Sequence, residues 1–330
     1  MKRLIYLFYY LKTTDFQKLK KFNQFAVGVS GKSSLNLHLD SIISVFKFNT
    51  ALLDYYHFRF FEQTDTDRMK WAGTGFMYEY QLRANPKSSR NLLEDKILFL
   101  KHFSRLNARR FYTLNEVLDG GADLQFFFTH GSGKAVLKGS RGQVGAEVNV
   151  IDTDQFDPLT LPSFMKQNGY DLLEEYVIQH PDLMNLSPSG LNTIRVFTEL
   201  KEGQVIFLGA RLRITINSPV DNMAAGNPAA PVDIKSGKVI GPAVFSDISK
   251  QDISVHPVTK ISIVGFQVPF WERVIEMVTD ATLDAGGNKS IGWDVAVSAA
   301  GPELIEGNHN WCKLLWQLPV KSGLKSILTQ

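Results

Sequence analysis

Two acidic residues and an asparagine near the C-terminus have the types and spacing of a metal site. Asp294 lies within the strand-like segment Ile291–Val297, and Glu306 and Asn308 close the next strand-like segment. Side chains alternate along a strand, so Glu306 and Asn308 are expected on one face, and a short connection brings Asp294 beside them. Two carboxylates and an amide oxygen suit Mg²⁺ that also binds phosphate oxygens. The alternative is that they are turn and capping residues at ordinary strand ends.

A second group of residues has the composition of a phosphate-binding turn. In the segment Val136–Val148, a strand delivers Lys138 to a turn rich in glycine. Glycines allow backbone amides to approach phosphates closely, and a lysine supplies a positive charge for the phosphate oxygens. The turn residues of interest are Gly139, Ser140, Gly142 and Gly145. Glycine-rich hairpins are common, so the turn alone is only a moderately specific signal. The three candidate metal ligands that follow it along the chain (the metal triple) strengthen the prediction of a phosphate site.

Arginines on two long predicted strands form the third group. The strands are Thr193–Leu200 and Gln204–Ile214; Arg195 lies early in the first, and Arg211 and Arg213 share a face of the second. Arginines that emerge from a sheet can clamp phosphate or carboxylate oxygens. The alternative is that they extend along the sheet edge into solvent.

The elements that position these groups predict an α+β fold with antiparallel sheets. Residues 1 to about 90 are expected to be mostly helical, Lys87–Arg90 to be a linker after Asn85-Pro86, and Asn91–Leu106 to be a helix. These elements divide the chain into three predicted regions, an N-terminal helical region at 1–90 and two α+β regions at 91–175 and 176–330. The other predicted elements are strands at Leu124–Thr129, Lys134–Lys138, Glu147–Ile151, Tyr176–Ile178, Gly292–Ser298 and Glu303–Ile305, and a helix at Pro269–Leu283.

Composition limits the classes of protein that fit. The 330 residues are 44% hydrophobic and 21% charged, as in an ordinary soluble protein, and the net charge is only +3. The lone Cys312 excludes a disulfide framework and favours a cytoplasmic location. No nucleic-acid-binding motif is present. The first sixty residues are basic and aromatic, which predicts either a solvated helical face or contact with an acidic surface, such as a membrane or a polysaccharide-assembly partner.

The order of these motifs resembles the ATP-grasp superfamily. The series comprises Lys96 in LLEDK, Lys138, the segment EEYVI, Arg195 and the Asp…Glu-x-Asn triple. It is most similar to the sugar-transfer-associated ATP-grasp family over residues 50 to 312. The segments that carry the similarity are LLDYYHFRFFEQ, EEYVIQHP, LNTIRVFTEL, VDN…AG…PVDIKSGK, HPVTK…GFQVPFW and GWDVAV…GPELIEGN.

The resemblance implies two α+β lobes with antiparallel sheets that clasp ATP. It implies that Lys96 and Lys138 contact the nucleotide, that Glu175 and Val177 form the hinge at the adenine edge, and that Asp182 meets the ribose. It further implies that Asp294, Glu306 and Asn308 bind Mg²⁺, and that Arg195 and Arg213 hold the γ-phosphate or the transferred group, with Asn222 nearby. The sequence departs from the family pattern at Ala225-Gly226 and at Lys260, where substrate and loop geometry are set.

The activity implied is activation of a carboxylate as an acylphosphate, followed by attack of an amine to give an amide. The expected partners are ATP with Mg²⁺, an acidic small molecule or sugar, and an amine, in the setting of cell-surface polysaccharide biosynthesis. His256 is a candidate to serve the amine, and a structural histidine beside Pro257 is the alternative.

Other functions remain compatible with the residues. Ala26–Ser33 fits a loose P-loop pattern, although the preceding KKFNQF is polar and basic where a P-loop would follow a hydrophobic strand. A kinase that phosphorylates a sugar or small-molecule hydroxyl would share the nucleotide half of the site. A non-catalytic binding module is the third alternative, and the intact metal triple argues against it.

Overall fold

Helices form the N-terminal region of the computed structural model, which describes residues 2–129, 132–141 and 148–329. Leu37, Tyr55 and Tyr56 are fully buried and anchor the core that the helices share. The predicted helical character of this region is confirmed. The helices are α1 (Lys2–Thr13), α2 (Phe16–Ser30), α3 (Ser34–Phe48), α4 (Leu52–His57), α5 (Asp65–Arg68) and α6 (Thr74–Ala84).

The loose P-loop pattern lies across the junction of α2 and α3. Most of it is the end of α2, which stops at Gly31 with a φ of 68°, a conformation that glycine adopts readily. Ser33 then caps α3 by accepting a hydrogen bond from the Asn36 backbone amide. The Lys32 ammonium donates to the Phe61 carbonyl oxygen at 2.8 Å. A P-loop requires a strand before its glycines, so the geometry here is that of a helix–helix junction.

Two predictions between residues 87 and 106 are wrong. Lys87–Arg90 is not a linker, because it belongs to helix α7 (Lys87–Glu94). The single helix expected at Asn91–Leu106 is interrupted at Asp95, where α7 ends and α8 (Lys96–His102) begins. The Asp95 carboxylate accepts hydrogen bonds from the backbone amides of Ile97 and Leu98, so it caps a new helix instead of continuing the old one.

The first sheet is antiparallel, with strand order β1-β4-β2-β3. Phe127, Leu137 and Leu173 pack in the core between the sheet and its helices. The strands are β1 (Phe111–Thr113), β2 (Lys134–Lys138), β3 (Val148–Asp152) and β4 (Leu172–Glu175), and the helices are α9 (Leu114–Leu118), α10 (Leu124–Thr129) and α11 (Leu161–Gln167).

The first sheet and helices α9 to α11 are called the first lobe. The strand predictions within it are only partly right. Leu124–Thr129 is helix α10, because Asp123 accepts from the Phe126 amide and the apolar run packs against the sheet through Phe127. The strand expected at Tyr176–Ile178 lies earlier, at β4, and 176–178 has no regular secondary structure.

The second sheet is also antiparallel, with strand order β7-β6-β5-β8-β9. Its core includes Val196, Leu212, Val274, Trp293 and Val295. The elements are α12 (Pro181–Leu186), β5 (Ile194–Lys201), β6 (Gln204–Arg213), β7 (Ala229–Val232), α13 (Trp271–Leu283), β8 (Ser290–Ser298), β9 (Gly301–Asn308) and α14 (Lys313–Gln317). The predicted α+β class with antiparallel sheets is therefore confirmed. Among the helices of the described residues, none has both the length and the apolar character that crossing a bilayer requires.

Asn85 ties the end of α6 to the second sheet, and its side chain is fully buried. Its amide nitrogen donates to the carbonyl oxygens of Ser290 and His309 at 2.8 and 2.7 Å. Its amide oxygen accepts from the backbone amides of Lys289 and Ser290 at 3.0 and 3.1 Å. The helical region and the strand that carries Asp294 are thus joined by one side chain.

We expect Asn85→Ala to lower the free energy of unfolding by about 2–4 kcal/mol, because the Ser290 amide and the Ser290 and His309 carbonyl oxygens each lose a buried or partly buried hydrogen bond. Urea unfolding measures the change. Asn115→Ala is the matched control, since Asn115 is exposed on α9. Equal losses in the two variants would contradict the role of Asn85.

Candidate active site

A lateral row of charged residues crosses the second sheet and forms one wall of the site. Asp294 on β8 is the register partner of Arg195 on β5 and of Glu306 on β9. Asp294 and Arg195 are 3% and 6% exposed. Antiparallel partners on one face lie close enough for side-chain contact. The predicted approach of Asp294 to Glu306 is present in the structure.

Asp294 binds two arginines. The Arg195 Nε donates to Asp294 Oδ1 and the Arg195 Nη2 to Oδ2 at 2.7 Å. The Arg213 Nη1 donates to the same Oδ2 at 2.7 Å. Burial alone would raise the pKa of the Asp294 carboxyl, but Arg195 and Arg213 outweigh it and hold that pKa well below its usual value. Asp294 is therefore a fixed negative charge between two cations.

Glu306 and Asn308 lie on the same face of β9, as predicted. The Asn308 Nδ2 donates to Glu306 Oε1 at 3.1 Å, and no hydrogen bond within the described residues engages Asn308 Oδ1. Burial, and next the negative charge of Asp294, raise the pKa of the Glu306 carboxyl. A nearby cation would stabilise the charged form of a carboxylate that burial and a neighbouring negative charge disfavour.

This donor set suits a divalent metal ion held jointly with a ligand. Mg²⁺ in proteins is usually bound through one or two side-chain oxygens together with substrate phosphates. Glu306 and Asn308 offer two such oxygens, whereas both Asp294 oxygens are committed to arginines. In the part of the chain that the structure describes, no group of three His, Cys, Asp or Glu side chains is arranged to hold a metal ion. The residues fit a Mg²⁺ ion that would take its other ligands from the phosphate groups of a bound molecule.

Asp221 holds Arg213 from the opposite side. The Arg213 Nη2 lies 2.5 Å from Asp221 Oδ1. Asp221 Oδ2 accepts from the Thr193 amide and hydroxyl at 2.8 and 2.6 Å. The next residue, Asn222, accepts a hydrogen bond from the Ala224 amide and starts a short 3₁₀ turn at the cavity edge. Arg213 is thereby fixed between two carboxylates.

The facing wall carries a second buried ion-pair cluster. The Lys138 Nζ and the Arg109 Nε both donate to Glu174 Oε2 at 3.0 Å. The Arg109 Nη1 also donates to the Leu304 carbonyl oxygen at 2.9 Å, which links the first sheet to β9. Burial would raise the pKa of Glu174, but Lys138 and Arg109 prevail and lower it to about 2. Glu174 thus sets the position of Lys138.

Lys96 holds the start of the glycine-rich turn. Its Nζ donates to the Gly139 carbonyl oxygen at 3.0 Å, and its backbone amide donates to the Ser140 carbonyl oxygen at 2.9 Å. Ser140 is bonded to Asp171 through its amide and its hydroxyl. Gly142 and Gly145 lie outside the described residues.

The two walls enclose one cavity of about 710 Å³. Apolar residues Val136, Val150 and Ile305 line one part of it. The residues singled out from the sequence that line this cavity are Lys96, Lys138, Glu175, Val177, Arg195, Arg213, Asn222, Asp294, Glu306 and Asn308. Residues far apart in sequence therefore meet around one space.

Other residues singled out from the sequence lie elsewhere. Ser140 is not among the lining residues, and Asp182 is exposed at the start of α12 beside His180. His256 is 1% exposed, and its ring nitrogens contact the Thr215 carbonyl oxygen and the Thr259 amide, as in a structural histidine. Arg211 is directed to the Trp316 carbonyl oxygen, away from the cavity.

Sequence reasoning missed Arg109, Glu174, Asp221 and Lys18, all of which line the cavity. Glu174 and Asp221 stand next to residues that were singled out, in EEYVI and VDN, so the motifs held a signal for them. Arg109 lies in a segment without a motif, and Lys18 belongs to a basic helix with several similar lysines.

Two antiparallel sheets that face each other across such a cavity, with a lysine on one and carboxylates on the other, are the arrangement of an ATP-grasp protein. The family model described as sugar-transfer associated ATP-grasp matches residues 158–330. The chain belongs to this family. Lys96 and Lys138 precede the matched range, so their assignment depends on the cavity geometry. No curated protein matches the chain significantly.

Several solved structures are similar in fold at low sequence identity. The ATP-grasp ligase PsnB with its minimal precursor is 12% identical over 74% of this chain and 62% of its own, with a TM-score of 0.44. The L-amino acid ligase from Bacillus licheniformis is 13% identical over 80% and 53%, with a TM-score of 0.41. Biotin carboxylase from Campylobacter jejuni is 14% identical over 74% and 50%, with a TM-score of 0.47. The chain thus spans between half and two thirds of these proteins.

We expect Asp294→Asn to lower the free energy of unfolding by about 3 kcal/mol, because Arg195 loses its buried counter-charge and Arg213 loses one of two. Glu306→Gln should change it by less than about 1 kcal/mol, since burial already disfavours the charged form of Glu306. Urea unfolding at neutral pH compares the two variants. An equal loss in both would contradict the distinction drawn between these carboxylates.

Proposed function

We propose that the protein is an ATP-dependent ligase that activates a carboxylate as an acylphosphate and joins it to an amine. The observation that carries the proposal is the shared cavity, which is lined by Lys138 on one wall and by Arg195, Arg213, Glu306 and Asn308 on the other. Cations and metal-binding oxygens on facing walls suit a nucleotide triphosphate.

The nucleotide base would occupy the apolar part of the cavity. Val136, Val150 and Ile305 offer flat apolar contact there, and Val177 follows β4 outside the sheet ladder. Peptide groups outside a ladder are available to the edge of a base. Lys138, held by Glu174, and Lys96, at the glycine turn, would meet the phosphates.

Glu306 and Asn308 would hold Mg²⁺ through their side-chain oxygens. When bound, the ion would neutralise charge on the phosphates. Asp294 would act through the arginines that it orients. This division of roles agrees with the hydrogen bonds, which occupy both Asp294 oxygens.

Arg195 and Arg213 would stabilise the phosphoryl group in transit. The bonds of Arg195 to Asp294 use Nε and Nη2, and no hydrogen bond within the described residues engages its Nη1. A substrate carboxylate oxygen would attack the γ-phosphorus as the bond to ADP breaks. The amine nitrogen would then attack the acyl carbon, lose a proton and expel phosphate. Positioning and charge stabilisation are the protein's main contribution to such transfers.

The acceptor acid is proposed to be a sugar acid or a similar small acid. The support is the family's description as sugar-transfer associated, and it favours a role in polysaccharide modification. A carboxylate is ionised at neutral pH, so the first step needs no general base. His256, the candidate to serve the amine in the second step, is buried and hydrogen-bonded outside the cavity lining, which favours a structural role.

We expect Lys138→Ala to weaken ATP binding about ten- to a hundredfold, because a charged hydrogen bond to phosphate is lost. Isothermal titration with a non-hydrolysable ATP analogue measures this affinity. Lys32→Ala is the matched control, because the Lys32 ammonium is held by the Phe61 carbonyl oxygen at the helix–helix junction. Weaker binding in the Lys32 variant alone would favour the P-loop interpretation over this cavity.

We expect ADP release to depend on an acidic acceptor and to fall at least about 100-fold in Glu306→Gln. The assay screens acidic sugars and amino acids with amines, and mass spectrometry identifies the product. Glu276→Gln, at an exposed position of α13, is the control. Free phosphate with an amide product supports the ligase, whereas phosphate retained on a hydroxyl means a kinase. Undiminished turnover in Glu306→Gln would overturn the metal assignment.

A further inference from the structure

Helix α1 exposes large apolar side chains along its outer side. Ile5, Phe8 and Tyr9 are 63%, 65% and 61% exposed, and Leu4 and Leu11 flank them. The inner side of α1 is also apolar, because Tyr10 is buried in the helical core. A helix that is apolar on both sides normally has an apolar environment on both.

The outer side chains of α1 are not needed to hold the helix in place. Tyr6 donates to Glu79 Oε1 at 3.0 Å, and Lys2 lies 3.1 Å from the same oxygen. Tyr10 packs in the core that also contains Phe48 of α3. The exposed row therefore lies on a helix whose opposite side is held by contacts with the rest of the protein.

Helix α3, which packs against α1, carries a second exposed apolar row. Leu35, Leu39, Ile43 and Phe46 are each at least 45% exposed and follow one another at helical spacing. Single exposed apolar residues are common on proteins, but continuous rows mark interaction surfaces.

The charge around these rows is net positive. Helix α1 carries Lys2, Arg3 and Lys12 with no acidic residue. Across α1 to α3 the acidic residues are Asp15 and Asp40, and Asp40 is bound to Arg68. The basic residues of these helices are Lys2, Arg3, Lys12, Lys18, Lys20, Lys21, Lys32 and Lys47. Acidic residues outside these helices pair with three of them, Lys2, Lys21 and Lys47, so the excess of positive charge comes from the other five.

We propose that the outer row of α1, Leu4, Ile5, Phe8, Tyr9 and Leu11, binds the surface of an anionic membrane. Apolar and aromatic side chains of an interfacial helix enter the headgroup boundary while nearby lysines meet anionic lipids. A second copy of the chain fits less well, because it would set Lys12 and its basic neighbours against a surface of the same charge.

The test is sedimentation of the full chain with vesicles of phosphatidylcholine, with and without phosphatidylserine. The protein should bind vesicles that contain phosphatidylserine, and less so at high salt. The double variant Ile5→Ser/Phe8→Ser should bind about 100-fold more weakly, and Lys12→Gln about fivefold more weakly. Circular dichroism should be unchanged, since the substituted side chains are exposed.

Matched controls lie on the first lobe. Leu159→Ser removes an apolar residue that is 85% exposed, and Lys166→Gln removes an exposed lysine of α11. Both should bind as the unchanged protein does. Absence of binding to phosphatidylserine vesicles would overturn the proposal, as would equal losses in the controls. A dimer in light scattering that Ile5→Ser/Phe8→Ser dissociates would assign the row to a second copy instead.

Discussion

The site depends on the burial of one carboxylate, Asp294, between two arginines of neighbouring strands. Each guanidinium would be costly to bury alone, and Asp294 would be costly without them. The antiparallel register of β5 and β8 places Asp294 beside Arg195 without a loop or an insertion. Asp221 adds a second carboxylate to Arg213. The sheet therefore supplies both the fold and the fixed orientation of the cationic side chains.

Much of the second sheet was predictable from the sequence because its signals are local. IGWDVAV and ELIEGNHN alternate with period two around a short connection, so the meeting of Asp294 with Glu306 followed from strand geometry. That Asp294 also binds two arginines could not be read in the same way. It depends on the lateral neighbour Arg195, which is 99 residues away in sequence.

The region from residue 87 to residue 178 was predicted less well, and the errors have physical causes. An apolar aromatic run such as Leu124–Thr129 fits a buried strand or the inner side of a helix, and here Asp123 favours the helix. The break at Asp95 also depends on a cap that competes with helix continuation. The partnership of Arg109 with Glu174 joins residues 65 apart, and no spacing rule predicts it.

The cavity cations are paired and yet retain donors for a ligand. A guanidinium has five N–H groups, so an arginine that holds a carboxylate still has hydrogen bonds to give. The buried Arg109 Nη2 has no partner among the described residues, and Arg109 lines the cavity. The Arg195 Nη1 likewise makes no hydrogen bond within the described residues. Pairing with Glu174 and Asp294 fixes the direction of these donors, so a polyanion would bind with little reorganisation. The same carboxylates offset the positive charge of the cavity walls, which lets the fold bury several cations together.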